Sequence, residues 1–200
     1  MTSQQRVYEK IIRDTWYHVY REDEDSYDEG VCWYSNASEW CENLSKELQI
    51  DYIKVCGVLA ALSPATSWER NKKDCENLLA HISHTNVVDY ACTTYSANVD
   101  KAILVYFSDG EKEAIEAILG KRAFKVKAFF NNIFDPYSRE HVTLDRHMFD
   151  LLEFNDYITA KRYREMEEAF KRAASGVVNI KPCDIQAVLW VYWRKEKGLK

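Results

Sequence analysis

Between Leu119 and Phe149 the chain reads LGKRAFKVKAFFNNIFDPYSREHVTLDRHMF, and no other stretch constrains the fold as much. It opens on a single glycine, Gly120, followed by four basic residues in seven positions: Lys121, Arg122, Lys125 and Lys127. From about Ala123 the apolar residues recur at helical spacing, which predicts an amphipathic helix ending at an Asp-Pro loop. Beyond that loop Asp145 stands alone among Val142, Leu144, Met148 and Phe149. A carboxylate at that position has two available roles. It can cap a new helix by accepting from free first-turn N–H groups, or it can be held there for chemistry.

The remaining sequence is helical in character, with only three prolines and six glycines in 200 residues. Apolar spacing predicts helices over Gln4–Tyr20, Tyr34–Leu48 (started by Ser35 or Asn36), Asp51–Ala65 and Trp68–Ile82. Shorter ones are predicted near Val87–Cys92, at Ser96–Tyr106 and at Glu111–Leu119. Ala160–Ala174 and a final apolar helix opened by Pro182 complete the set. The acidic run REDEDSYDEG, residues 21–30, reads as a solvated loop. Pro64 stops the apolar helix before it, and Ser63 or Ser67 caps the next. The expected fold class is all-α, with about ten helices around one cleft. Residues 1–50 and 158–195 are expected to form one lobe and residues 51–157 the other.

Three landmarks resemble the helix-hairpin-helix DNA glycosylase superfamily. The first is the basic, glycine-bearing turn followed by a helix. The second is the Asp-x-His element, matched by Asp145 and His147. The third is Leu62-Ser63, Thr66 and Asn71-Lys72, similar to the place where a buried helix of the family ends and the next one opens. These landmarks cover roughly residues 50–195, in patches and in the family's order. The chain departs from the pattern in showing one glycine at the turn where relatives show two. It also has Pro64-Ala65 where they carry a wedge glutamine.

The resemblance implies a two-lobed helical bundle of the glycosylase type with Asp145 as catalytic carboxylate. It implies Lys127 as the lyase lysine, with Lys125 its rival, and a hairpin at Gly120, Lys121, Arg122 and Lys125 that takes a DNA phosphate. A second nucleotide contact is expected at Asn71 and Lys72, with Arg146 beside Asp145 as a further one. In the last helix Gln186 and Arg194 are the polar exceptions, while Trp190 and Trp193 read as core. Apart from the resemblance, Asn98 and Lys101 lie with Tyr95 near one helix N-terminus, a place suited to a phosphate. The expected function is glycosylase-like action on a modified or damaged base. The alternatives are exchange of groups on a modified pyrimidine, as in relatives from bacterial viruses, and nucleotide or protein binding without catalysis.

Charge distribution fits a local phosphate contact. The net charge is −5, yet residues 120–200 hold 11 acids against 16 bases, while residues 1–60 hold 12 acids against 6 bases. Six cysteines show no paired C-x-x-C spacing, so neither a metal nor another cofactor is expected. No apolar run reaches the roughly 18 residues of a membrane span. The charged first residues differ from a signal peptide, so the expected location is the cytoplasm.

Overall fold

Helical periodicity decides the architecture. The computed structural model describes residues 2–199 and arranges them in ten α-helices, with no strand among the described residues. In chain order they are α1 (Ser3–Glu22), α2 (Glu24–Leu48), α3 (Tyr52–Leu62), α4 (Trp68–Thr85) and α5 (Ser96–Phe107). Then follow α6 (Lys112–Leu119), α7 (Phe124–Phe134), α8 (Arg146–Leu151), α9 (Ala160–Ser175) and α10 (Pro182–Glu196). None is long and apolar enough to cross a membrane. Two units are present, Met1–Asn36 with Asp135–Lys200 and Ala37–Phe134. Asp145 therefore groups with the terminal helices, whereas the sequence reading divides the chain at 50 and 157.

In the first unit α1 is opened by a capping box between Thr2 and Gln5 and buries Tyr8, Ile12, Trp16 and Val19. That stripe packs on α9 and α10. α9 returns Tyr163, Met166, Phe170 and Ala173, and α10 returns Cys183, Ile185, Val188 and Leu189. Pro182 starts α10, where its missing N–H costs nothing. Gly30 sets how near α2 comes to α10, since a Cβ there would lie 2.3 Å from the Cα of Val188.

The second unit is built around α3, whose residues Val55–Leu62 are all buried. A helix apolar all round must be covered on every side. Here α4, α5, α6 and α7 cover it. Gly57 admits α5 and α6, because a Cβ would meet Val105 Cγ1 at 2.8 Å and Ile115 Cγ2 at 2.9 Å. Ser67 caps α4, and Asn71 Nδ2 donates to Leu59 O of α3 at 3.1 Å.

Three sequence expectations fail. Residues 21–30 are helical from Glu24 onward, so Ser35 and Asn36 lie inside α2 instead of starting it. The cause is Asp23, whose oxygens accept from Ser26 N at 3.2 Å and Ser26 Oγ at 2.8 Å, with Lys195 Nζ at 2.7 Å. Glu24 and Asp25 then sit in the first turn, where the helix dipole favours acids. The helix expected near Val87–Cys92 is absent. α4 ends on Asn86 in the left-handed conformation, and Val87 and Val88 are exposed with no core to bury.

The two tight glycines predict unequal costs. Gly30→Ala drives a methyl into backbone, while Gly57→Ala meets only side-chain methyls. Gly30→Ala is expected to lose more than about 3 kcal/mol and Gly57→Ala about 1–3 kcal/mol, measured by urea unfolding. Equal losses would contradict the close α2–α10 crossing.

Candidate functional site

Asp145 is placed by three helices of the first unit. The backbone before it, residues 142–144, is buried and outside any helix. Tyr163 of α9 clasps that backbone, its hydroxyl donating to Val142 O at 2.8 Å and accepting from Leu144 N at 3.1 Å. Burial pushes the Tyr163 phenol well above the usual tyrosine range, with Glu167 and Asp145 adding to the effect, so the O–H stays protonated. Glu167, one turn further along α9, accepts from Val142 N at 3.1 Å. Burial raises the Glu167 carboxyl, against the opposing pull of Lys171 and that N–H.

The chain then turns into α8, and Asp145 caps it. Oδ1 accepts from Met148 N at 3.1 Å, while Oδ2 accepts from the indole Nε1 of Trp190 on α10 at 2.9 Å. The half-buried carboxylate is thus fixed by one donor on each oxygen, and each oxygen keeps a lone pair. Trp190 carries more than this bond. The guanidinium of Arg194 lies 4.4 Å from its ring centroid, and Trp33 meets it edge-on at 5.9 Å. Arg194 and Asp145 are therefore brought to one indole. Arg146 points outward, its side chain 91% exposed, with Asp150 as its partner at 4.0 Å. Gln186 does not reach this place, because its Oε1 accepts from Tyr34 OH at 2.7 Å inside the core.

Reading Trp190 as core misses its part here. The available signal was chemical: a tryptophan N–H seeks an acceptor when covered, and Arg194 follows it by one helical turn.

The basic turn belongs to the second unit, and Lys127 with it, so Asp145 and Lys127 lie in different units. Gly120 ends α6 with φ 116° and ψ 145°, backbone that an L side chain rarely adopts. Its N–H donates to Glu116 O, and its carbonyl accepts from Ala123 N at 3.2 Å. Ala123 O takes the first bond of α7, from Lys127 N at 2.9 Å. Alanine has no side chain with which to cap, and a helix opened this way favours an anion at its first turn. Lys121 and Arg122 are exposed there, and Lys125 and Lys127 are half-buried. Lys101 of α5 joins this turn, Nζ donating to Leu119 O at 2.9 Å.

Other expected residues have local duties. Asn98 donates to Thr94 Oγ1, whose hydroxyl holds Pro64 O. Asn71 is buried against α3, and Lys72 lies over Trp68 while pairing with Glu69. Next to Pro64, Ala65 has φ 62°, a left-handed strain at the position where the resemblance puts the wedge residue.

Two further features take no part in phosphate chemistry. A recess of about 540 Å³ is walled by five acids, Glu22, Asp23, Glu24, Asp25 and Glu196, against one lysine, Lys195, with His18 and Tyr192, a balance that disfavours an anion. Burial raises the Cys41 and Cys75 thiols and pushes Cys92 to about 11 and Cys183 to about 12, so all four are neutral thiols near pH ~7. No group of His, Cys, Asp and Glu suited to a metal ion occurs among the described residues.

Fold and geometry together define a ten-helix all-α protein, with a doubly held carboxylate in one unit and a basic one-glycine turn in the other. The chain belongs to a family of unknown function, DUF7178, which it matches over residues 1–197. No curated protein and no solved structure matches it.

Two outcomes are expected of this geometry. Asp145→Asn and Trp190→Phe should each cost about 1–2 kcal/mol, and the double variant less than their sum, because both remove one bond. Additive losses in urea unfolding would mean the indole does not hold the carboxylate. The second concerns Glu167. A carboxyl raised in the fold stabilises below its ordinary value of 4.5, and that contribution is lost as pH rises through the folded value. Glu167→Gln should therefore be more stable than the parent at about pH 7, with the difference closing toward about pH 4. A difference that grows on acidification would reverse the assigned sign.

Proposed function

We propose that the chain is a DNA glycosylase-like enzyme acting on a modified or damaged base, with Asp145 as its catalytic carboxylate. The observation that carries this reading is the two-donor grip on Asp145, from Met148 N and Trp190 Nε1. It fixes a carboxylate in place without an ion pair that would occupy both oxygens. Support comes also from the helix order, the Asp145-x-His147 element and the basic turn before α7.

Cleavage breaks the C1′–N bond, and its electron pair leaves with the base. The sugar becomes an oxocarbenium-like cation, which a nearby carboxylate steadies. Water then adds to C1′ and gives up a proton, to Asp145 or to the departing base. A base must leave its stack to be reached, so weakened pairs and single strands are favoured. Lys121, Arg122 and Lys125 would hold the flanking backbone. Lys127 stands in the other unit from Asp145 and is given no step at C1′.

The test is to incubate the protein with DNA rich in modified or damaged bases and to look for free base by mass spectrometry. Release is expected from the parent, and at least about 100-fold less from Asp145→Asn, with DNA retention unchanged. Altered nucleoside masses without abasic sites would replace hydrolysis by base exchange. DNA retention with no chemistry in either protein would leave a binding module.

A further inference from the structure

We propose that Lys101 is a positioning residue for the α6–α7 turn, holding it in the shape that presents its cations to a phosphodiester. Lys101 lies on α5, which packs on α6. Its ammonium donates to the carbonyl of Leu119, the last residue of α6, at 2.9 Å. A helix C-terminus carries partial negative charge, so an ammonium there gains both a hydrogen bond and a favourable field. The next residue is Gly120, whose φ of 116° marks the bend, and Lys101 Nζ is 3.6 Å from where its Cβ would be. From Gly120 the bonds run on without a gap. Its carbonyl holds Ala123 N, and Ala123 O holds Lys127 N.

Lys101 thus touches the first link of a chain that ends at the opening of α7. Among the described residues it makes no ion pair, so a carbonyl takes its charge in place of a carboxylate. The turn has one glycine to set its bend, and the lysine from α5 supplies a second restraint. The residues so presented are Lys121, Arg122 and Lys125.

The phosphate half of this inference rests on the glycosylase reading; the positioning half does not. Two measurements separate them. Native-state hydrogen exchange at Gly120 and Ala123 reports the turn, and fluorescence anisotropy with a short labelled DNA duplex at low salt reports binding. In Lys101→Met both amides should exchange about tenfold faster and DNA should bind about tenfold more weakly. Amides of α3 should be unchanged, and Lys101→Arg, which keeps the charge and the donor, should restore both readouts. If the Met variant does not fold, Lys101→Gln keeps a neutral donor and should fall between it and the parent. Unchanged exchange in Lys101→Met overturns the positioning role, as does failure of Lys101→Arg to rescue. Faster exchange with undiminished DNA binding overturns the link to the ligand. A parent protein that binds no DNA overturns that link too, but it does so through the glycosylase reading and before any variant is made.

Discussion

One phenol determines where the candidate carboxylate stands. Residues 142–144 have no sheet partner, so their buried amides and carbonyls need side-chain partners. Tyr163 serves two of them with a single oxygen, donating to Val142 and accepting from Leu144. Glu167 takes a third from the same face of α9. With the segment clasped, α8 begins at Asp145 and nowhere nearby, and Trp190 is in reach from α10. Removing the phenol would leave buried polar backbone unpaired, a cost larger than the bond itself.

The second unit reaches its polar turn by a different route. Its centre is α3, apolar on every side, and four helices are recruited simply to cover it. The link between two of them, α6 and α7, is only residues 120–123, and its bend falls at Gly120. Gly120 makes that bend with a φ of 116°, a conformation other residues rarely adopt. The bases that follow cannot enter such a core, and they gather at the opening of α7. Hydrophobic covering of one helix thus concentrates positive charge at another, although the chain as a whole is acidic.

Much of this was legible in the sequence. Apolar spacing located nearly all of the helices, and the isolation of Asp145 among apolar residues marked it as a cap or more. What escaped was tertiary. The acidic run at 21–30 reads as a loop because its own residues repel, yet Lys195, 172 positions away, neutralises Asp23 and lets α2 begin. Val87 and Val88 have helical spacing but nothing to pack against. Lys101 reads as a phosphate ligand at the start of α5, and its length carries it instead to the end of α6. Trp190 reads as core because periodicity sees the ring and ignores the N–H.

The two readings of Asp145, helix cap and catalytic group, are compatible. A cap engages one oxygen, and if Trp190 were absent the other would be free to turn with the side chain. A loosely held carboxylate would lose entropy on meeting a sugar cation, and catalysis depends on charges already in place. The indole removes that freedom, and it does so with a neutral donor. An arginine in its position would hold the carboxylate more tightly but would set a positive charge beside the cation to be stabilised. Here the guanidinium of Arg194 lies on the face of the indole while Asp145 meets the N–H at its edge. The charge therefore sits apart from the hydrogen bond that holds the carboxylate. Under the glycosylase reading, structural capping and chemical readiness would be one arrangement, and a change that spoils the cap would spoil both.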